Sequence, residues 1–198
     1  MDDQTVATYN KLAQEYDKET ADFWEQFPCS VFDEFVARLT GTRVLNVGSG
    51  PGRDGLLLQD RGISMECVDA SEQMVQMCIG RGLSATVGDV LALPFGNKQF
   101  DGVWAYTSLL HIHKSDMPRA LQEIRRVLKP ASVFGVGMIE GEGEQYRESS
   151  GVGMPRWFAY YTQEELEQYL TEAGFRIHYR EVFKPRSKEY LNIICTLR

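Results

Sequence analysis

"VLNVGSGPGRDG", residues 44–55, is an apolar run that ends in three alternating glycines. With Arg43 before it, "RVLNV" reads as a short buried strand. Gly48, Gly50 and Gly52 remove side chains from the loop that follows, so a ligand can lie directly on the backbone. "GRDGLLLQDRG" then reads as a helix, whose first N–H groups favour an anion. Asn46 is unusual. Several families with such loops place a carboxylate two residues ahead of the first glycine, and here it is an amide.

Outward from this stretch, strands and helices alternate. "SMECVD" is a strand, and "SEQMVQMCIGRG" is a helix capped by Ser71. "SATVGD" and "FDGVWAYT" are strands. Ser115 is placed to cap a helix that buries Leu121, Ile124 and Leu128 and stops at Pro130. "SVFGVGMI" is a nearly continuous apolar strand. This alternation gives βαβ units and a parallel sheet covered on both faces. The tail departs from it. Thr162 and Glu165 form a capping box for a helix ended by Gly174. "FRIHYREVF" and "EYLNIICTLR" follow with only five residues between them. Strands that close have no room for a helical crossover, so they pair antiparallel. Residues 140–161 form a long insertion with no regular pattern, of the kind that serves as a lid or binding loop. Ahead of everything, residues 1–40 read as a helical cap. One helix carries Val6, Tyr9, Leu12, Ala13 and Tyr16, and a second starts at Ser30 as its cap with Asp33 three residues on.

Composition narrows the classes. The chain has 198 residues, 43% hydrophobic and 25% charged, with a formal net charge of −7. One domain over residues 1–198 is expected. The acidic balance argues against nucleic acid as a partner, and the patches at Arg125, Arg126, Lys129 and "KPRSK" (184–188) read as solvated surface. The four cysteines, Cys29, Cys67, Cys78 and Cys195, form no CxxC pair and have no histidine at metal spacing, so no metal site is expected. No apolar run is long enough to span a bilayer. The polar N-terminus is no secretory signal, and a cytoplasmic location is expected.

The glycine loop fits two patterns, GxGxxG through Gly50, Gly52 and Gly55 and GxGxG through Gly48, Gly50 and Gly52. Asp69 ends the second strand, where a carboxylate accepts from both ribose hydroxyls of an adenosine cofactor under either pattern. Asp89 ends the third strand. It can accept from an exocyclic amine such as adenine N6, while the Val90 N–H donates to the ring, with Met74 and Leu91 on the two faces. With these residues the chain resembles the class I S-adenosylmethionine-dependent methyltransferases. The matching segments are "VLNVGSGPGRDG", "CVDASEQM", "GDVLALPF", "FDGVWAYTSLLHI" with "EIRRVLKP", and "FAYYTQEELEQYLTEAGF", in that order.

The resemblance implies an α/β Rossmann-like three-layer sandwich. Its sheet has seven mostly parallel strands with one antiparallel, a core over 41–198, and the N-terminal cap above it. The cofactor is S-adenosyl-L-methionine. Gly48, Ser49, Gly50 and Gly52 lie against its methionine part, and Asp69 holds the ribose. Ala70, Met74, Asp89 and Val90 enclose the adenine. Tyr106 and Thr107 face the sulfonium or the methionine tail, and Tyr9 and Tyr16 fold over from the cap. Asn46 stands where the family has Asp or Glu near the cofactor's ammonium, and Asp54 is placed to supply the missing charge or simply to complement its helix dipole.

His111 is the catalytic candidate, a base on the rim after the fourth strand, or else a structural histidine. His113 and His178 are read as outward-facing. Glu140, Glu142, Glu144 and Glu148 with Trp157, Phe158, Tyr160 and Tyr161 would suit a cationic acceptor, or a solvated acidic loop. The acceptor is expected to be a small molecule. Two rival readings stay open: a nicotinamide-dependent reductase, which the absence of a Tyr-x-x-x-Lys dyad disfavours, and a non-catalytic cofactor-binding protein on the same scaffold.

Overall fold

The structure is a computed structural model and describes residues 2–25, 30–148, 153–185 and 187–198. Helix α1 (Asp3–Glu19) comes first. Asp2 caps it, its side chain accepting from the Thr5 N–H at 2.8 Å. The backbone leaves helical geometry at Leu12, so α1 is two short helices joined at a bend. Helix α2 (Ser30–Ala37) buries Val31, Phe32 and Phe35. Ser30 is not its cap: it is the first helical residue, and its hydroxyl donates to Glu181 at 2.9 Å. Cys29 lies outside the described residues, as do Arg186 and residues 149–152 of the insertion.

The core then runs β1 (Arg43–Val47), α3 (Arg53–Gln59), β2 (Ser64–Asp69), α4 (Glu72–Gly80), β3 (Ser84–Val87), β4 (Phe100–Tyr106), α5 (Met117–Val127) and β5 (Leu128–Ile139). Ser71 caps α4 as expected, accepting from the Met74 N–H. Ser115 does not cap α5. It sits in a 3-10 turn over Lys114–Asp116, and the helix starts at Met117 and ends at Val127, three residues before Pro130.

The described residues of 140–161 are not irregular. They fold into a hairpin of β6 (Glu144–Glu148) and β7 (Pro155–Ala159), with Tyr146 opposite Trp157 and Arg147 opposite Arg156. Beyond it come α6 (Gln163–Glu172), β8 (Phe175–Phe183) and β9 (Tyr190–Leu197), and Thr162 caps α6 by accepting from the Glu165 N–H.

The sheet has seven strands in the order β3-β2-β1-β4-β5-β9-β8, and β9 runs antiparallel to both neighbours. β4 is buried along its whole length, as a strand covered on both faces must be. The chain leaves β1 toward β2 and β3, then returns to β4 on the other side of β1. The loops after β1 and β4 therefore diverge, and a crevice opens between them at the carboxyl ends of the strands. Two glycines of β5 make room for the aromatic rings of β4. A Cβ on Gly135 would meet the Trp104 ring at 2.6 Å, and one on Gly137 would meet the Tyr106 ring at 2.4 Å. The bare backbone lets both rings lie flat, stacked with centroids 5.5 Å apart.

Candidate active site

The crevice holds a cavity of about 340 Å³. Its first wall is the glycine loop. Gly48, Gly50 and Gly52 have φ of 64°, 52° and 90°, a region that costs any side-chain-bearing residue strain. At Gly48 a Cβ would meet Ser108 Cβ at 2.2 Å. At Gly50 an added Cβ would find only Tyr16 at 4.0 Å, so this glycine faces open space where a ligand can lie on the backbone. Ser49 and Pro51 complete the loop's contribution. Gly52 opens α3 and lines nothing, its N–H donating to Ser49 O at 3.0 Å.

Asp69 lies where the second strand ends, and it lines the cavity. One carboxylate oxygen accepts from the Gly50 N–H at 2.8 Å and the other from the Ser71 N–H at 2.9 Å. Burial raises its pKa against these bonds. A carboxylate has about four acceptor sites, so two bonds leave room for a diol. Ala70 and Val90 line a second, small cavity beside Asp69, closed on the other side by Ser108 and Leu109. Met74 lines the main cavity. Asp89 lines neither. It forms a tight turn, accepting from the Leu91 N–H at 2.9 Å.

Asn46 does not reach the cavity either. It is 1% exposed in mid-sheet, between Cys67 and Trp104 of the flanking strands, and its Nδ2 has no acceptor. Asp54 does line the cavity. It accepts from two indoles, Trp24 Nε1 at 2.6 Å and Trp104 Nε1 at 2.8 Å. Burial nonetheless raises its pKa, which marks a carboxylate that a nearby cation would stabilise.

Tyr106 and Thr107 follow the fourth strand. The Tyr106 ring lines the cavity, but its hydroxyl points away and donates to Asn192 at 2.7 Å. Thr107 has φ of 51°, an outlier for a β-branched residue, held by its N–H donating to Gly137 O at 2.8 Å. Ser108, next to it, lines both cavities, and its buried hydroxyl has no partner.

The roof is α1 and the hairpin together. Thr5 Oγ1 accepts from the Trp157 N–H at 2.8 Å, and Thr8 Oγ1 donates to Pro155 O at 2.9 Å. Lower on the helix, Asp17 pairs with Arg53 and Arg81, and Arg81 also donates to Pro51 O, which ties α1 to the glycine loop. Tyr9 and Tyr16 both line the cavity, edge to face at 5.2 Å. Alternation along β7 aims Arg156 and Phe158 into it.

His111 sits on the cavity wall, 6% exposed, with both ring nitrogens engaged. Nδ1 is 2.6 Å from Trp157 O. A carbonyl only accepts, so Nδ1 carries the proton. Nε2 then accepts from the Tyr9 hydroxyl at 2.8 Å, and that hydroxyl accepts from Arg156 Nη1 at 2.7 Å. Burial, reinforced by the Arg156 charge, lowers the His111 pKa to about 3. The ring is a neutral bridge between core, helix and hairpin. The expected free base is not there.

Other expectations also change. His113 is half-buried against Trp157, with centroids 4.2 Å apart, while His178 is exposed as read. Glu140, Glu142, Glu144 and Glu148 are exposed, and none lines the cavity. The residues missed from the sequence are Phe23, Trp24, Arg53, Ser108, Arg156 and Lys188. For Arg156 a signal existed. "EQYRE" and "PRWFA" carry aromatic and charged residues at strand spacing, with a Ser- and Gly-rich stretch of sequence between them. Among the described residues there is no cluster of metal-ligating side chains and no helix long and apolar enough to cross a membrane.

Known proteins agree with this geometry. Residues 44–131 match the model of the family described as "Methyltransferase domain". The chain is 28% identical over 159 residues to the O-methyltransferase resE of Aspergillus sclerotiorum, covering 73% of this chain and 60% of that protein. It is 27% identical over 181 residues to 27-O-demethylrifamycin SV methyltransferase of Amycolatopsis mediterranei, covering 77% and 64%. The chain spans 36% to 64% of the length of the curated relatives it matches. Among solved structures, the fold is shared with Burkholderia thailandensis 1,6-didemethyltoxoflavin-N1-methyltransferase at a TM-score of 0.75 and 21% identity, over 97% of this chain and 87% of that one. With its strand order, its glycine loop and its acidic strand end, the chain has the fold of these methyltransferases, and residues 44–131 carry the likeness to the methyltransferase-domain family.

Proposed function

We propose that the protein transfers a methyl group from S-adenosylmethionine to a small-molecule acceptor. The observation that carries this reading is Asp69, a cavity-lining carboxylate hydrogen-bonded to the bare backbone of Gly50. The residues present fit the cofactor. Gly48 and Gly50 leave backbone where a Cβ would intrude, and the unpartnered Ser108 hydroxyl faces the junction of the two cavities. Asp69 accepts from the ribose. Ala70 and Val90 widen the small cavity around the adenine. Asp54, rather than Asn46, receives the ammonium on the acceptor sites its two indole bonds leave open.

The cofactor supplies an activated methyl on a sulfonium. The protein's share is alignment and dryness. Tyr106 lines the cavity with the buried Trp104 ring stacked behind it, Thr107 next to it is held in a strained conformation, and Tyr9 and Tyr16 line the roof. Positioning of this kind supplies much of the rate in a transfer between two bound partners. His111 acts as a positioning residue: it holds the Tyr9 hydroxyl and anchors the hairpin at Trp157.

Calorimetric titration tests the reading. S-adenosylhomocysteine is expected to bind in the micromolar range and NADH not at all. Asp69→Ala should weaken S-adenosylhomocysteine by roughly 1.5–3 kcal/mol, the scale for hydrogen bonds to a charged acceptor. Tight NADH binding that ignores Asp69→Ala would overturn it.

A further inference from the structure

Three cations line the cavity: Arg53 beside the glycine loop, paired with Asp17, and Arg156 and Lys188 on the far side. Arg156 comes from β7, and Lys188 from the loop between β8 and β9. They flank one ring: Arg156 Cζ is 5.2 Å and Lys188 Nζ 6.0 Å from the Phe158 centroid. Arg156 is 6% exposed and also lies over Tyr9 and Tyr16, at 5.1 and 5.8 Å. The Lys188 ammonium is pushed down, by burial first and then by the Arg156 and Arg147 charges.

Three carboxylates line the cavity, Glu19, Asp54 and Asp69, and none of them comes from β7 or the loop between β8 and β9. Asp54 and Asp69 accept from indoles and amides, and Glu19 is exposed at the end of α1. The glutamates of residues 140–148 are outside the cavity, so they give no support to a cationic acceptor. The apolar part of the cavity wall includes Phe23, Leu110, Ile139, Phe158 and Tyr190.

We propose that the methyl acceptor is an oxyanion on a flat apolar body, such as an aromatic carboxylate or phenolate, held by Arg156 and Lys188 against Phe158. The proposal rests on the methyltransferase reading and gives its site a substrate class. It also accounts for the missing base. An anionic oxygen arrives without a proton. Its lone pair forms the bond to the methyl carbon while the carbon–sulfur bond breaks, and that electron pair stays on sulfur as the thioether. The acceptor's negative charge and the sulfonium's positive charge both vanish, and no proton moves. His111, with both nitrogens engaged, is not needed as a base.

The test uses the full-length protein loaded with S-adenosylhomocysteine. Binding of salicylate, caffeate and 1-naphthoate is compared with that of their carboxamides, with benzylamine as the cationic control. At least one carboxylate should bind about tenfold tighter than its amide, as expected when charge-assisted bonds replace neutral ones. Lys188→Gln should erase most of that preference and leave the amide and S-adenosylhomocysteine unchanged. Lys188 lies in the loop between β8 and β9, outside the helices and strands, and circular dichroism with S-adenosylhomocysteine binding establishes that Lys188→Gln is folded. Failure of S-adenosylhomocysteine to bind would remove the underlying reading and this proposal with it. Normal S-adenosylhomocysteine binding with no carboxylate preference, with a preference Lys188→Gln leaves intact, or with tighter benzylamine would overturn the oxyanion alone.

Discussion

His111 should make the protein acid-sensitive by a calculable amount. Its pKa is about 3 in the folded protein, against 6.5 for the ordinary side chain. Between those values the unfolded chain binds a proton that the folded one refuses, so stability falls as the pH falls. From pH 7.5 to pH 5.0 the linkage comes to about 2 kcal/mol, and the result barely changes for any folded pKa below about 4. The perturbation is His111→Gln. An amide can still accept from Tyr9 and donate to Trp157 O, but it does not titrate. The variant should be less stable at pH 7.5, by roughly 1–2 kcal/mol for weakened hydrogen bonds. At pH 5.0 that gap should close by about 2 kcal/mol. Urea unfolding followed by tryptophan fluorescence at both pH values measures it, and all other titrating groups cancel between the two proteins. A gap of the same size at pH 5.0 and 7.5 would refute a buried neutral imidazole.

Asn46→Leu should hold or raise stability, by up to about 1 kcal/mol, since it removes a buried donor that has no acceptor. Its S-adenosylhomocysteine affinity should stay within about twofold, and a tenfold loss by calorimetry would return Asn46 to the ammonium. Gly48→Ala combines a left-handed φ with a 2.2 Å approach to Ser108, so it should cost at least about 2 kcal/mol in thermal unfolding and abolish cofactor binding. Wild-type behaviour would mean the loop relaxes. Thr107→Asn relieves an unfavourable φ and should raise stability by up to about 1 kcal/mol while slowing methyl transfer. Equal gains in both would show the strain has no functional use.

The sheet was readable because its signals are local. Apolar runs, glycine ends and caps such as Ser71 and Thr162 act within a few residues, and five loop residues were enough to force the last pair antiparallel. The loop glycines and Asp69 were readable for the same reason: a strand end fixes where they point. Asp54 could not be assigned, because its partners Trp24 and Trp104 lie 30 and 50 residues away. Asn46 was placed by analogy with acidic homologous positions, yet β1 turns its amide into the sheet. For His111 the sequence leaves a base and a structural histidine both open, because a free imidazole titrates near neutrality. Only the fold puts Trp157 O and the Tyr9 hydroxyl on its two nitrogens. The hairpin was lost to its polar strands, since β6 is exposed throughout and has no apolar face to signal it.

The threonine bonds between α1 and β7 bear on the order of assembly. Thr5 and Thr8 are wholly buried; Thr5 donates locally to Asp2, but it accepts from Trp157, 152 residues on, and Thr8 donates to Pro155 O, 147 residues on. A nascent chain makes its first helix early and keeps it waiting, with two hydroxyls and two tyrosines unburied, until the hairpin emerges. Contacts across such separations form late, because the entropy of closing the loop must be met before they can stabilise anything. The sheet and glycine loop can be native while the chamber is still roofless. Ligand-binding competence should then lag behind sheet formation in refolding. The N-terminal helix should also be the first segment a protease finds during synthesis and the last to become protected.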